Sequence, residues 1–375
     1  MTEFYHSVTL DETKCVGCTN CIKRCPTEAI RVRGGKAVIA SERCIDCGEC
    51  IRICPHHAKR ARFTHLSKLS EFEYNIALPA PSLYGQFNNL DDIDYVLTGL
   101  KEMGFDDIFE VSRAAELVSE ATRKLMEEGE LKRPVISSAC PAVVRLIRVR
   151  FPDLCEHVLP LKSPMETAAA IAKKEAAEKT GLPADKIGCF FLTPCPAKVT
   201  DIKMPLGIEK SMVDGAIAIS EVFPELSHVM DHLESIEPIA NSGIIGVGWS
   251  TSGGESAALL NEKYLAADGI ENVIRVLEEI EDERIGELDF IELNACAGGC
   301  VGGVLCVENP YVAKARIQRL RKYLPVSQNH LRGGPVPEVM EWNTNLEFSD
   351  VLTLSSDLKE AMQMMARIDE IEKEF

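Results

Sequence analysis

Eight of the fifteen cysteines lie within the first 54 residues, in two runs of one spacing. Cys15, Cys18, Cys21 and Cys25 are followed by Pro26, and Cys44, Cys47, Cys50 and Cys54 by Pro55. Each run reads C-x₂-C-x₂-C-x₃-C-P, and the second repeats the first 29 residues later. Three closely spaced thiolates can wrap three corners of a cubic cluster. Zinc is usually held by two separated pairs rather than by two runs of four followed by proline. A chain of 375 residues does not need disulfides to be stable. The spacing therefore points to two 4Fe–4S clusters.

The spacing is that of bacterial ferredoxins, in which the fourth Cys of each run crosses to the other cluster. On that pattern Cys15, Cys18, Cys21 and Cys54 hold one cubane, and Cys44, Cys47, Cys50 and Cys25 the other. Residues 1–62 carry eleven Lys/Arg against seven Asp/Glu, while the whole chain has a net charge of −17. An oxidised cubane with four thiolates is a dianion, so two clusters roughly neutralise the local basic excess. A ferredoxin-like domain, taken here as 1–65, only relays electrons. What they are used for must be written in 66–375.

The acidic balance argues against nucleic acid or an anionic membrane as main partner. No apolar run reaches the ~20 residues of a spanning helix, and the first ten residues lack the layout of a secretory signal. The chain is therefore expected to be cytoplasmic. From about Tyr74 short apolar runs alternate with amphipathic ones, which predicts α/β architecture with parallel sheet. The expected strands are Asn75–Leu78, Asp107–Val111, Pro134–Ser137, Ile187–Thr193, Ala216–Ser220 and Phe290–Leu293. Helices are expected over Asp91–Met103, Ala114–Glu128, Pro164–Lys179, Glu255–Ala267, Tyr311–Tyr323 and the apolar-striped Ser349–Phe375. Parallel sheets bind ligands at the carboxyl ends of their strands. Cys140, Cys195, Cys296 and Cys300 follow such strands, in Ser-Ala-Cys-Pro, Thr-Pro-Cys-Pro and Asn-Ala-Cys-Ala-Gly-Gly-Cys. Four thiols suffice for a further cubane. Cys155 and Cys189 read instead as buried small apolar residues, and Cys306 as a packed thiol.

These three loops resemble the signatures of the iron-only (FeFe) hydrogenases, T-S-C-C-P, M-P-C-x-x-K-x-x-E and E-x-M-A-C-x-x-G-C-x-x-G-G. The chain has Ser137-Ser138-Ala139-Cys140-Pro141, then Thr193-Pro194-Cys195-Pro196-Ala197-Lys198-Val199-Thr200-Asp201. The third segment runs from Glu292 through Asn294, Cys296 and Cys300 to Gly303. Leu78-Pro79-Ala80-Pro81-Ser82 and Lys162-Ser163-Pro164 agree as well. The resemblance implies a two-lobed domain of parallel sheets flanked by helices. It also implies an H-cluster, a cubane bridged by one cysteine to a two-iron unit bearing CO, cyanide and azadithiolate. By position Cys140, Cys195, Cys296 and Cys300 hold the cubane and Cys300 bridges. Lys198 matches the lysine that bonds one cyanide, and Pro81 and Ser82 match the loop around the other.

The departures are as informative as the matches. Ala139 stands where fast members carry a proton-relay thiol, and a methyl group cannot pass a proton. Asp201 replaces a glutamate, and Arg123 stands where a relay carboxylate is expected near Glu120. Thr193 and Asn294 replace two methionines at the two-iron unit, placing hydrogen-bonding groups there. The pattern is similar to the slow, sensory branch of the family. The resemblance implies H2 and protons as substrates, a ferredoxin-type electron carrier, maturation proteins and a separate signalling partner. The runner-up is a cytosolic iron–sulfur assembly protein on the same fold, with cubanes but no two-iron unit.

Overall fold

The computed structural model describes residues 4–352, together with 359, 362 and 363. The helix expected over 349–375 otherwise falls outside the described residues, and at its start the chain makes a short 3-10 turn, Asp350–Leu352.

The N-terminal region is built from two small antiparallel pairs. Val8–Leu10 pairs with Lys59–Ala61, closing the ends of the region on each other, and Ile30–Arg33 pairs with Lys36–Ile39. Two four-residue helices, Asn20–Lys23 and Glu49–Arg52, carry Cys21 and Cys50. The apolar core here is small, and the cysteines are part of it.

Two parallel sheets follow. The first has the order Asp107–Ile108, Tyr74–Pro79, Ile187–Thr193, Gly215–Ala218. Its central strands are buried on both faces, as all-parallel sheets require. Ala77, Phe190, Leu192 and Ile217 pack to one side, against helices Asp94–Glu102 and Ile219–Met230. Ile76, Leu78, Ile187, Cys189 and Phe191 pack to the other, against the alanine-rich face of Pro164–Thr180. The second sheet has the order Tyr264–Asp268, Phe290–Asn294, Val135–Ile136. Ile136, Ile291 and Leu293 pack on helices Pro141–Arg150 and Ile270–Glu281, while Val135 and Phe290 face Val111–Glu128.

The expected strand Ile187–Thr193 is observed with those bounds. Other expectations shift. Asp107–Val111 shortens to Asp107–Ile108, because Val111 opens the helix previously expected to begin at Ala114. The helix expected over Glu255–Ala267 is wrong. Gly254–Ala258 makes a short helix, Leu260 takes a left-handed φ of 55°, and Tyr264–Asp268 is a strand. Tyr-Leu-Ala-Ala has fair helical propensity, but a five-residue parallel register with Phe290–Asn294 overrides it.

Candidate metal centre

Both sheets end towards the same region, and their carboxyl-end loops carry the chemistry. Cys140 and Cys195 are the last non-helical residues before Pro141–Arg150 and Pro196–Lys203. Proline at the first helical position has its φ already set and no N–H to lose, so each Cys-Pro pair fixes where a helix starts beside a thiol. Cys296 follows the strand Phe290–Asn294, and Cys300 opens a 3-10 turn, Cys300–Gly302. Gly303 brings this loop onto the second one, since a Cβ there would lie 2.2 Å from the Pro194 carbonyl oxygen.

The four thiols are close enough to feel one another. Burial first, then the neighbouring Cys140, pushes Cys195 up to about 11. Cys296 and Cys300 are pushed well above the ordinary thiol range by burial, then by Cys195 and Cys140. Thiols so placed become thiolates only when a cation compensates them, which is the chemistry of a soft-metal site.

The N-terminal cysteines form two further quartets. Cys15, Cys18, Cys21 and Cys54 line one hollow, and Cys25, Cys44, Cys47 and Cys50 line another. Each hollow thus takes its fourth cysteine from the other run. Backbone N–H groups point at the sulfurs, Ala37 to Cys15 at 3.4 Å, Ala29 to Cys25 at 3.2 Å and Ala58 to Cys54 at 3.3 Å. Such donors stabilise thiolate and tune cluster potential. The second quartet lies against the third loop. Gly48, at φ 81°, would place a Cβ 2.8 Å from Val304, and Arg52 Nη2 donates to the Gly302 carbonyl at 2.8 Å.

Beside the Cys140 quartet is a cavity of about 90 Å³, lined by Pro81, Ser82, Ala139, Cys140, Cys195, Lys198, Glu255, Glu292, Asn294 and Cys300 among others. Lys198 is 9% exposed. Ser82 is fully buried, and among the described residues nothing hydrogen-bonds its Oγ. An orphaned hydroxyl and a buried ammonium on one cavity wall are costly unless an anionic or accepting group meets them. The donor set therefore fits a polar, anionic metal unit attached to the thiol quartet.

Four residues expected at the site sit elsewhere. Thr193 is not among the cavity-lining residues, because its hydroxyl donates to the Cys195 carbonyl at 3.0 Å and so braces the ligand turn. Asp201 lies one helical turn past Lys198, buried, with Arg145 3.8 Å away, and lines a different hollow, with Ser138, Lys162 and Trp342. Burial raises its carboxyl, while Lys198 and then Arg145 lower it. Glu120 accepts the Leu331 N–H at 3.0 Å and Arg123 donates to the Ala258 carbonyl at 2.6 Å, both off the cavity wall.

Sequence reasoning missed a carboxyl pair. Glu255 is 4% exposed, and burial followed by the charge of Glu292 pushes it up. Glu292, itself buried and raised, accepts the Gly253 and Ser256 N–H groups and the Asn294 side-chain amide. Ser137 Oγ lies 2.8 and 2.7 Å from the two oxygens of Glu255 and accepts the Ala139 N–H at 3.1 Å. Only Glu292, at the head of the third signature, carried a signal. Glu255 comes to the cavity on the short helix Gly254–Ala258, where the sequence predicts a long one.

Comparison with known proteins agrees with this geometry. The model of the iron only hydrogenase large subunit, C-terminal domain, matches residues 73–304, and that of the 4Fe-4S dicluster domain matches 7–55. Iron hydrogenase 1 of Clostridium pasteurianum is 25% identical over 79% of the chain, which spans 64% of that protein's length. The periplasmic [Fe] hydrogenase large subunit of Nitratidesulfovibrio vulgaris is 25% identical over 80% of the chain and 86% of its own length. A cytosolic Fe-S cluster assembly factor, NAR1 of Scheffersomyces stipitis, is 26% identical over 41% of the chain and 30% of its own. A solved structure of the [FeFe]-hydrogenase HydA(deltaEFG) superposes with a TM-score of 0.54 at 16% identity, covering 74% of the chain and 95% of that one. With more than half its length matched, the chain belongs to the iron-only hydrogenase large-subunit family, preceded by a 4Fe–4S dicluster domain.

Proposed function

We propose that the chain is a hydrogenase that interconverts protons and H2 slowly, in a regulatory setting, with electrons relayed through two N-terminal cubanes. We take it as two domains, 1–65 and 66–375. Cys15, Cys18, Cys21 and Cys54 would hold one cubane, Cys25, Cys44, Cys47 and Cys50 the second, and Cys140, Cys195, Cys296 and Cys300 that of the H-cluster. The observation that carries this reading is the cavity wall on which Lys198, the orphaned Ser82 hydroxyl and a buried carboxyl pair meet the thiol quartet.

When bound, the two-iron unit would supply the metal position at which two protons and two electrons become H2. The protein supplies the rest. Lys198 gives an ammonium, and Ser82 a hydroxyl donor, to anionic ligands in a buried place, where charge-assisted hydrogen bonds are strong. Ala139 offers no proton. Glu255 does, since its raised carboxyl keeps a proton at a pH where an ordinary glutamate has none. Ser137 orients it and Glu292 discourages its ionisation. A proton donor is therefore present, set behind the first loop rather than on it, which fits low turnover better than none. A ferredoxin-type carrier, maturation proteins and a separate signalling partner belong to this reading.

The competing reading, an assembly factor on the same fold, rests on the partial match to NAR1. Hydrogen–deuterium exchange by full-length protein matured with a two-iron precursor tests the two. Slow exchange, abolished by Lys198→Asn, is expected. A cubane-loaded protein with no exchange after maturation would favour the assembly reading.

A further inference from the structure

The loop of the second thiol quartet contains a carboxylate that bonds across to the hydrogenase domain. Asp46, between Ile45 and Cys47, is 1% exposed and adopts φ 53°, a left-handed conformation that Asp tolerates better than most residues. Its Oδ1 accepts the backbone N–H groups of Ser7 and Val8 at 3.1 and 2.9 Å. Its Oδ2 accepts the hydroxyl of Thr200 at 2.6 Å. Thr200 lies on the helix Pro196–Lys203, two residues beyond Lys198. Ser7 closes the same junction, its Oγ donating to the Pro196 carbonyl at 2.8 Å.

The same junction acts on Arg145, a buried guanidinium on the helix that follows Cys140. Burial lowers its affinity for its proton, and Asp201, Asp46 and Cys44 act against that. Its Nη2 donates to the Met204 carbonyl, and among the described residues its Nε has no hydrogen-bond partner. Cys44 Sγ lies 3.6 Å from Asp46 Oδ1, and Arg145 feels the charges of both, in an interior where each charge acts over several ångströms with little screening.

We propose that Asp46 is a positioning residue for the second cubane. It locks the cluster loop to the Lys198 helix, and its carboxylate, opposed by Arg145, sets that cubane's reduction potential. The proposal rests on the assignment of Cys25, Cys44, Cys47 and Cys50 to one cluster. Adding an electron beside a carboxylate is disfavoured, so neutralising Asp46 must raise the potential. Adding one beside a guanidinium is favoured, so neutralising Arg145 must lower it.

The test is a redox titration, followed by electron paramagnetic resonance, of the full-length protein loaded with iron and sulfide but not with the two-iron unit. Asp46→Asn should raise the potential of one cubane by about tenfold in its reduction equilibrium, which is 59 mV for one electron. Arg145→Gln should lower the same cubane's potential. Thr200→Val, which breaks the clamp without changing charge, should move it less than either. General loosening of the fold would not give opposite signs. Unchanged potentials in folded, fully loaded variants, or shifts of one sign in both charge variants, would overturn the proposal. If Asp46→Asn does not fold, an unmoved or raised potential in Arg145→Gln overturns it alone. A parent protein lacking two N-terminal cubanes by iron content and spectrum would instead remove the ligand assignment, and the proposal with it.

Discussion

The two thiol-bearing regions solve the same problem in opposite ways. In the N-terminal region eight cysteines fall between residues 15 and 54, on tight turns and two four-residue helices. Backbone N–H groups supply much of the surroundings of the sulfurs. In the second region four cysteines are spread from 140 to 300, on loops from two different sheets. Backbone N–H groups of Ala197 and Lys198 also meet Cys195, but the cavity beside the quartet is walled by side chains, Lys198, Ser82 and Glu255 among them, delivered by long-range packing. On the proposed reading, local spacing suffices for the electron-relaying clusters, whereas the third needs charge and protons that only long-range packing brings to it.

Four substitutions sharpen or break that contrast, in descending order of effect. Cys195→Ala should remove the catalytic-domain cubane, about four irons per chain, while leaving both N-terminal cubanes. Iron analysis with electron paramagnetic resonance reads this, and loss of an N-terminal cubane would show that the regions are not independent. Lys198→Asn should keep all cubanes, yet prevent stable loading of the two-iron unit, because a buried anion loses its charged partner. Iron per chain before and after maturation checks it, and normal loading would return Lys198 to a structural role.

Glu255→Gln should slow hydrogen evolution by roughly a hundredfold at matched loading, the lower end of what a positioned acid contributes. Its sign with pH is fixed. Burial and the charge of Glu292 hold Glu255 above the ordinary carboxylate range, so it keeps its proton where an exposed glutamate has lost it, and evolution should fall as pH rises through its raised titration. Glu255→Gln should flatten that profile, and an unchanged one would sink the donor role. Ala139→Cys should give the smallest change, a gain of several-fold in turnover with loading unchanged, since one relay member is restored while Asp201 and Arg123 still depart from the relay pattern. No gain, singly or with Asp201→Glu and Arg123→Glu, would mean that the missing thiol does not limit the rate.

What was legible in the sequence follows the same contrast. The N-terminal quartets were legible as groups because their cysteines repeat at short intervals. The loop cysteines could be read because each follows an apolar strand and precedes proline or glycine. Lys198 came with its motif. The hydroxyl of Thr193 donates to the Cys195 carbonyl, a direction that spacing alone does not give. Glu255 was invisible because its value depends on Glu292, 37 residues later, through a strand whose pairing overrode local propensity. Helix Ile219–Met230 was hidden because it starts directly at the end of a strand, so the apolar run expected as strand Ala216–Ser220 crosses into it; Pro141–Arg150 and Ile270–Glu281 were not among the expected elements either.

The central claim is that the cavity beside Cys140, Cys195, Cys296 and Cys300 takes a two-iron unit. Infrared spectroscopy of the full-length protein, after exposure to a synthetic two-iron precursor and removal of excess, tests it directly. Sharp CO and cyanide bands should stay with the protein and be lost in Lys198→Asn. A protein with all three cubanes and no such bands would contradict it.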